Sequence, residues 1–369
     1  MSDTNHEEGA ALLATNAPDT PYLAVDVDVM DRNLQRAADD ASQRGIALRP
    51  HAKTHKVPEI ARRQLALGAV GLTLATVSEA EIFADAGFTD LFIAYPVWPS
   101  EGRVARLRAL AERVSLRIGA DSVEAVEQLG LALAGSGTRI MVEIDSGHHR
   151  SGARPDEAGT VAAAANRVGL AVSGVFTFPG HGYSPAGLAQ AARDEADALS
   201  IASFMLERAG VDGALVRSGG STPTRSLTDP TVVNELRPGV YVFNDAQQVE
   251  LGTCSWEDVA LTAHATIVSR RGQDVIADAG SKVLGADQPS WVTGGGRLPD
   301  FPDARVVALS EHHVTIRFPD GAEVPELGTI LRIAPNHVCA AVNLADELIV
   351  VQDGTVVDSW SVAARGANS

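Results

Sequence analysis

The chain has 369 residues, 45% of them apolar and 21% charged, the balance of a protein that buries a core, and this length allows two or three domains. Thirty Lys and Arg against 47 Asp and Glu give a formal charge of −17, which repels phosphate backbones and excludes nucleic acid as the expected partner. No apolar run reaches the roughly 18 residues of a membrane span, the N-terminus lacks the basic segment of a secretion signal, and two cysteines, Cys254 and Cys339, cannot build a disulfide framework. A cytoplasmic enzyme is expected.

Residues 1–18 are small and polar without periodicity and read as a flexible tail. From Tyr22 onward short apolar runs alternate with amphipathic stretches. The strand-like runs fall at 22–27, 46–48, 72–75, 91–94, 115–118, 139–144, 171–178 and 214–217. Between them lie segments with apolar residues at three- and four-residue spacing, such as Met30, Leu34, Ala37 and Ala41, which Gly45 stops. About eight strand–helix alternations in some 220 residues predict a parallel sheet closed as a (β/α)8 barrel over 19–248. After about residue 248 the texture changes to short β-rich runs separated by turn signals such as Pro319-Asp320-Gly321 and Asp353-Gly354. Residues 249–369 therefore read as a mostly antiparallel β domain, to which a stretch near Leu23 could add a strand.

Three segments carry residue types suited to chemistry. Arg49-Pro50-His51-Ala52-Lys53-Thr54-His55-Lys56 follows a predicted barrel strand, at the end of the barrel where active sites sit. A lysine there, crowded by the cations around it, can be kept neutral enough to form a Schiff base with an aldehyde cofactor; the same composition also suits a solvated basic loop. Ser218-Gly219-Gly220-Ser221-Thr222 also follows a strand, and such a glycine turn is either a plain turn or a cradle that offers backbone N–H groups to a phosphate. His337 and Cys339, two residues apart, point to one side of an extended segment and could share a borderline-soft divalent ion, the alternative being a buried cysteine beside a turn histidine. Arg150 and His181 occupy further predicted rim positions, His181 as an acid/base candidate, and Tyr241 lies in a predicted linker. Glu311-His312-His313 sits at a hairpin start and is expected to be exposed.

Taken together, Arg49–Lys56, Val142-Glu143-Ile144-Asp145-Ser146-Gly147, Asp278–Lys282 and Pro335–Cys339 resemble the D-threonine aldolase / D-serine dehydratase family of alanine-racemase-like, fold type III pyridoxal-phosphate enzymes. The resemblance runs from Pro21 to about Gly366. It implies a cofactor-binding barrel plus a β domain, with active sites completed in a homodimer. It implies that Lys53 bonds the cofactor aldehyde, that His51 lies beside it, and that Arg150 partners the ring hydroxyl. Phe178 would pack on the ring, and Gly219, Gly220, Ser221, Thr222 and Tyr241 would hold the phosphate. His337 and Cys339 would bind a divalent metal, zinc or manganese. Two departures stand out. The metal pair is His-x-Cys, as in the zinc-dependent dehydratases, rather than His-x-Asp. The segment Phe178–Ser184 has its histidine moved to His181.

The implied activity is lyase chemistry on a D-β-hydroxy-α-amino acid. Loss of the β-hydroxyl proton with Cα–Cβ cleavage gives glycine and an aldehyde; loss of the α-proton with departure of hydroxide gives a 2-oxo acid and ammonia. Both call on pyridoxal 5'-phosphate as an electron acceptor and a metal as a Lewis acid. A racemase or epimerase on the same fold, and a non-catalytic cofactor carrier, are the alternatives.

Overall fold

The apolar runs read as strands are buried along most of their length, as strands covered on both faces must be. Leu72–Leu74 is wholly buried, and four of the five residues in Arg139–Glu143 are. The computed structural model describes residues 17–211 and 215–369. Most of the expected flexible tail and residue 214 of the expected eighth strand lie outside the described residues. The chain divides into two units, Leu34–Gly239 with Gly366–Ser369, and Met1–Asn33 with Val240–Arg365.

The strand β1 (Tyr22–Asp26) belongs to the second unit. The first unit is built on β2 (Ala47–Leu48), β3 (Leu72–Leu74), β4 (Asp90–Pro96), β5 (Ser115–Ala120), β6 (Arg139–Glu143), β7 (Ala171–Phe176), β8 (Val216–Gly219) and β9 (Glu235–Leu236). These pair in parallel in the order β2-β9-β8-β7-β6-β5-β4-β3. The row closes through a parallel bridge between His51 and Thr73, where the Thr73 N–H donates to Pro50 O at 2.8 Å. The result is the expected eight-stranded barrel. Its strand membership differs from the strand list read from the sequence at both ends: Tyr22–Asp26 joins the second sheet, the alternative left open for the stretch near Leu23, and the eighth strand is the two-residue Glu235–Leu236, a segment that reads as part of a linker.

Helices follow most barrel strands. Thr76 caps Val77–Asp85 by accepting the Glu79 N–H at 3.0 Å, and Ser122 caps Val123–Leu133, supplying acceptors that the first turn lacks. Phe92, Met141 and Phe176 form a buried cluster, with the Phe92 and Phe176 rings edge to face at 5.0 Å. At the N-terminal ends of the strands Arg49 is buried between Glu235 at 2.8 Å and Asp90 at 2.7 Å, and Arg117 reaches Glu235 at 3.2 Å. Four charges there tie together β4, β5, β9 and the residue that follows β2.

The second unit carries β10 (Leu261–Arg271), β11 (Asp274–Ala277), β12 (Arg305–Leu309), β13 (Val314–Arg317), β14 (Ile330–Ile333), β15 (Glu347–Gln352) and β16 (Thr355–Ser361). Its sheet runs β12-β13-β11-β10-β1-β15-β16, with β14 paired to β10. All pairs are antiparallel except β1 with β15, where Ala24 stands opposite Ile349. Among the described residues no helix is long and apolar enough to cross a membrane.

Candidate active site

In the barrel unit the backbone leaves β2 through Pro50 and His51 and turns into a single 3-10 turn, Ala52–Thr54, that carries Lys53. His51 Nδ1 accepts the Lys53 N–H at 3.4 Å and so starts that turn. Burial, then the charges of Lys53, Arg237 and His55, hold the His51 pKa well below that of a free imidazole. His51 is therefore a neutral acceptor at the root of the lysine.

The crowd of cations expected around Lys53 does not form. Arg49 is matched by Glu235 and Asp90, Lys56 pairs with Glu79 at 3.3 Å, and burial lowers His55 to about 4. The sharp change from strand to 3-10 turn sends neighbouring side chains to different partners. Lys53 Nζ instead lies 5.9 Å from the centre of the Phe178 ring.

Phe178, two residues beyond β7, is the hub of the mouth. Arg150 Cζ lies 5.3 Å from its centroid, and the His148 ring meets it edge to face at 5.4 Å. Both residues come from the loop after β6, which Asp145 organises: its Oδ1 accepts the N–H groups of Gly147 at 2.9 Å and His149 at 3.0 Å, and its Oδ2 meets His149 Nδ1 at 2.7 Å. A small pocket here is lined by Glu143, Ile144, Asp145, His148, Arg150, Ser151 and Phe178. Three strand ends thus bring Lys53, Arg150 and Phe178 together. An amine and a guanidinium beside one aromatic ring suit a flat, anionic, aldehyde-bearing ring.

His181 sits in the 3-10 turn Gly180–Gly182 and pairs through Nε2 with Asp194 Oδ2 at 3.1 Å, while its Nδ1 is buried without a hydrogen bond. A Cβ on Gly147 would stand 3.2 Å from its Cε1. The imidazole is thus oriented by a carboxylate and lies against the loop that carries Arg150.

The glycine turn follows β8. Gly220 adopts φ +73°, and its N–H donates to Glu195 Oε1 at 2.6 Å. The Ser221 N–H and hydroxyl both contact Thr224 Oγ1, at 3.1 and 2.9 Å. Gly219, Gly220, Ser221 and Thr222 are all buried. Gly220 takes a positive φ that favours glycine, and a Cβ at Gly219 would run into Glu195 Oε1 at 2.4 Å, so the turn needs both glycines.

Tyr241, His337 and Cys339 belong to the other unit. Tyr241 lies buried in the short turn Val240–Val242. His337 and Cys339 are not on an extended segment: His337 caps the helix Val338–Leu344 and Cys339 lies in its first turn. The reason is Asp245, which accepts the Val338 N–H at 3.2 Å and so satisfies the helix start. Its Oδ2 stands 3.4 Å from His337 Nδ1, an atom without a hydrogen bond. Burial opposes charge on His337, but Cys339 and Asp245 outweigh it and raise its pKa. Among the described residues no three His, Cys, Asp or Glu side chains converge as a metal-ligand set. One imidazole and one thiol in contact suit a borderline-soft ion with open positions, not a closed structural site. Glu311, as expected at the surface, pairs with Lys282 at 2.9 Å.

Among the described residues, the buried charged groups to which the sequence reading gave no role include these four. Arg237 follows β9, donates to Thr177 O, and lies 5.1 Å from the Phe176 ring; burial lowers its pKa to about 10 against the pull of Glu235, Glu143 and Glu195. Glu143 accepts the Ser151 hydroxyl at 3.0 Å, leaves Oε2 unpartnered, and is pushed by burial up to about 7. Glu195 is wholly buried and likewise raised to about 7. Asp245 is the fourth. Glu143 stood in a motif, and Asp245 has the local signal of a helix cap, accepting the Gln248 N–H at 3.0 Å; Arg237 and Glu195 carry no signal beyond their neighbours' apolarity.

Comparison with known proteins bears on the fold and the family. Residues 25–247 match the family model for the alanine racemase N-terminal domain, and residues 260–351 match a putative serine dehydratase domain. A D-threo-3-hydroxyaspartate dehydratase from Delftia sp. (strain HT23) is 34% identical over 349 residues, covering 87% of this chain and 91% of that protein. The crystal structure of D-threonine aldolase from Filomicrobium marinum superposes with a TM-score of 0.86 at 33% identity, covering 95% of this chain and 96% of the other. A cysteine-to-alanine mutant of D-threo-3-hydroxyaspartate dehydratase, described in a metal-free form, superposes with a TM-score of 0.85 at 31% identity over 94% and 97% of the two chains.

Proposed function

The chain belongs to the D-threonine aldolase / D-serine dehydratase family of alanine-racemase-like, fold type III enzymes and is a pyridoxal-phosphate-dependent lyase; from that premise we propose that it acts on D-β-hydroxy-α-amino acids with the help of a divalent metal. The observation that carries the reading is the grouping of Lys53 and Arg150 over Phe178 at the ends of three barrel strands.

Lys53 is the residue that bonds the cofactor, with neutral His51 at its root. Arg150 and Phe178 hold the ring, and Gly219, Gly220, Ser221, Thr222 and Tyr241 hold the phosphate. His337 and Cys339 hold the metal, zinc or manganese. When bound, the cofactor accepts the electron pair released at the substrate Cα and the metal acidifies the β-hydroxyl. Lys53 is placed to exchange the proton at Cα. His181, steered by Asp194, is the candidate to take the proton of the β-hydroxyl, after which the Cα–Cβ bond breaks to glycine and an aldehyde. Where the α-proton leaves first, hydroxide departs from Cβ and a 2-oxo acid and ammonia follow. The homodimer implied by the family resemblance is part of this reading, and light scattering of the purified protein tests it.

The deciding experiment incubates the protein, supplied with pyridoxal phosphate and Mn²⁺ or Zn²⁺, with D-threonine and D-serine. Aldehyde with glycine, or 2-oxo acid with ammonia, is the expected result. Interconversion of D- and L-alanine without either product set would overturn it in favour of a racemase.

A further inference from the structure

Glu195 is a carboxylate in the charged stretch Arg193-Asp194-Glu195-Ala196-Asp197. It nevertheless lies wholly buried on the helix Leu188–Arg208, directly behind the glycine turn. Both of its oxygens are engaged. Oε1 accepts the Gly220 N–H at 2.6 Å and Oε2 accepts the Thr228 hydroxyl at 3.2 Å. A Cβ on Gly219 would stand 2.4 Å from Oε1, so the carboxylate and any side chain at 219 compete for one space. Arg237 is the charged group that acts on it. Burying a carboxyl is costly unless its bonds are made, and nothing in the lyase chemistry uses this one.

We propose that Glu195 is a positioning residue for phosphate recognition: by holding the Gly220 amide from behind, it fixes the course of the Gly219–Gly220 turn and so the place from which Ser221 and Thr222 meet a phosphorylated ligand. This rests on the reading of residues 219–222 as the phosphate cradle. It assigns Glu195 no contact with the ligand. Gly219 then has a stated purpose, which is to leave room for the carboxylate.

The test compares the binding of pyridoxal phosphate and of pyridoxal, which lacks the phosphate, to the full-length apoprotein by absorbance titration. The wild type is expected to prefer the phosphorylated form. Glu195→Ala leaves the Gly220 N–H without its acceptor and is expected to reduce that preference roughly five- to a hundredfold, with pyridoxal binding unchanged, which also shows that the variant is folded. Glu195→Gln keeps an acceptor for Gly220 and is expected to restore the preference to within about threefold. Gly219→Ala should mimic Glu195→Ala, and should add little to it in the double variant because the competing side chain is gone. A Glu195→Ala protein that keeps the wild-type preference, or loses both ligands equally, overturns the inference. A wild type with no preference overturns the phosphate cradle itself, and the two failures are thereby distinct.

Discussion

At the scale of single residues the barrel holds ionisable groups in unusual states, and each has a measurable cost. Glu143 is raised from 4.5 to about 7, first by burial and then by the neighbouring Asp121, against the Ser151 hydrogen bond and the charges of Arg150 and Arg237. The folded chain therefore keeps a proton that the unfolded chain releases between these values. Its stabilising contribution is full below the lower value and is lost as the pH rises through the upper one, on the order of 3 kcal/mol at most. Glu195 has the same sign, while His51, His55 and His264, held by burial below the free imidazole value, have the opposite one, so Glu143→Gln is expected to shift the pH dependence of urea stability between about pH 5 and 8 toward greater stability at the upper end, by up to about 3 kcal/mol. An unchanged slope would mean that Glu143 is ionised at neutral pH and matched by the two arginines. The local chemistry of Lys53 was legible in the sequence, because a lysine directly after a strand is placed by the barrel geometry alone. Glu195 was not, since its burial depends on the Gly220 N–H from another element; Asp245 caps a local helix turn by accepting the Gln248 N–H at 3.0 Å, but its second partner, the Val338 N–H, is distant in the chain.

At the scale of elements, β9 shows how two residues can serve as a strand. Glu235–Leu236 is too short to declare itself by periodicity, yet it closes the barrel between β2 and β8. Its carboxylate is held by Arg49 and Arg117 and by the Ser218 hydroxyl at 2.8 Å. Arg49→Met leaves Glu235 buried with half of its compensation and is expected to destabilise the protein by about 3–5 kcal/mol in urea unfolding; a loss under about 1 kcal/mol would mean that Arg117 alone suffices. The helix Val338–Leu344 makes a second case. The sequence placed His337 and Cys339 near each other but on an extended segment, because the helix start depends on Asp245, more than 90 residues away in the chain. Cys339→Ala is expected to abolish lyase activity and metal content while leaving the cofactor's absorbance intact. Full activity would remove the metal from the proposal, and lost absorbance would show that the substitution acts on the cofactor.

At the scale of the whole molecule, neither unit is a continuous stretch of chain. The barrel unit recovers the last residues, whose Ser369 O accepts the Ser78 N–H at 2.9 Å and whose Ala367 O accepts the Thr76 hydroxyl at 2.8 Å. The second sheet takes its central strand, β1, from the opposite end of the sequence. A fragment of residues 240–369 is thus expected to lack a stable sheet, and a peptide covering residues 17–33 added in trans is expected to restore dispersed amide signals in its NMR spectrum. A well-ordered fragment without the peptide would show that β10 and β15 can pair or be covered without β1. The place of β1 also sets an order of events during synthesis. Ala24 pairs with Ile349, so at about 5–20 residues per second the ribosome delivers the partner on the order of tens of seconds after the strand. Until β10 emerges to pair with it, Tyr22 opposite His264, Tyr22-Leu23-Ala24-Val25 is an unpaired apolar strand while the barrel is still being made, and one of its edges stays open until β15 follows.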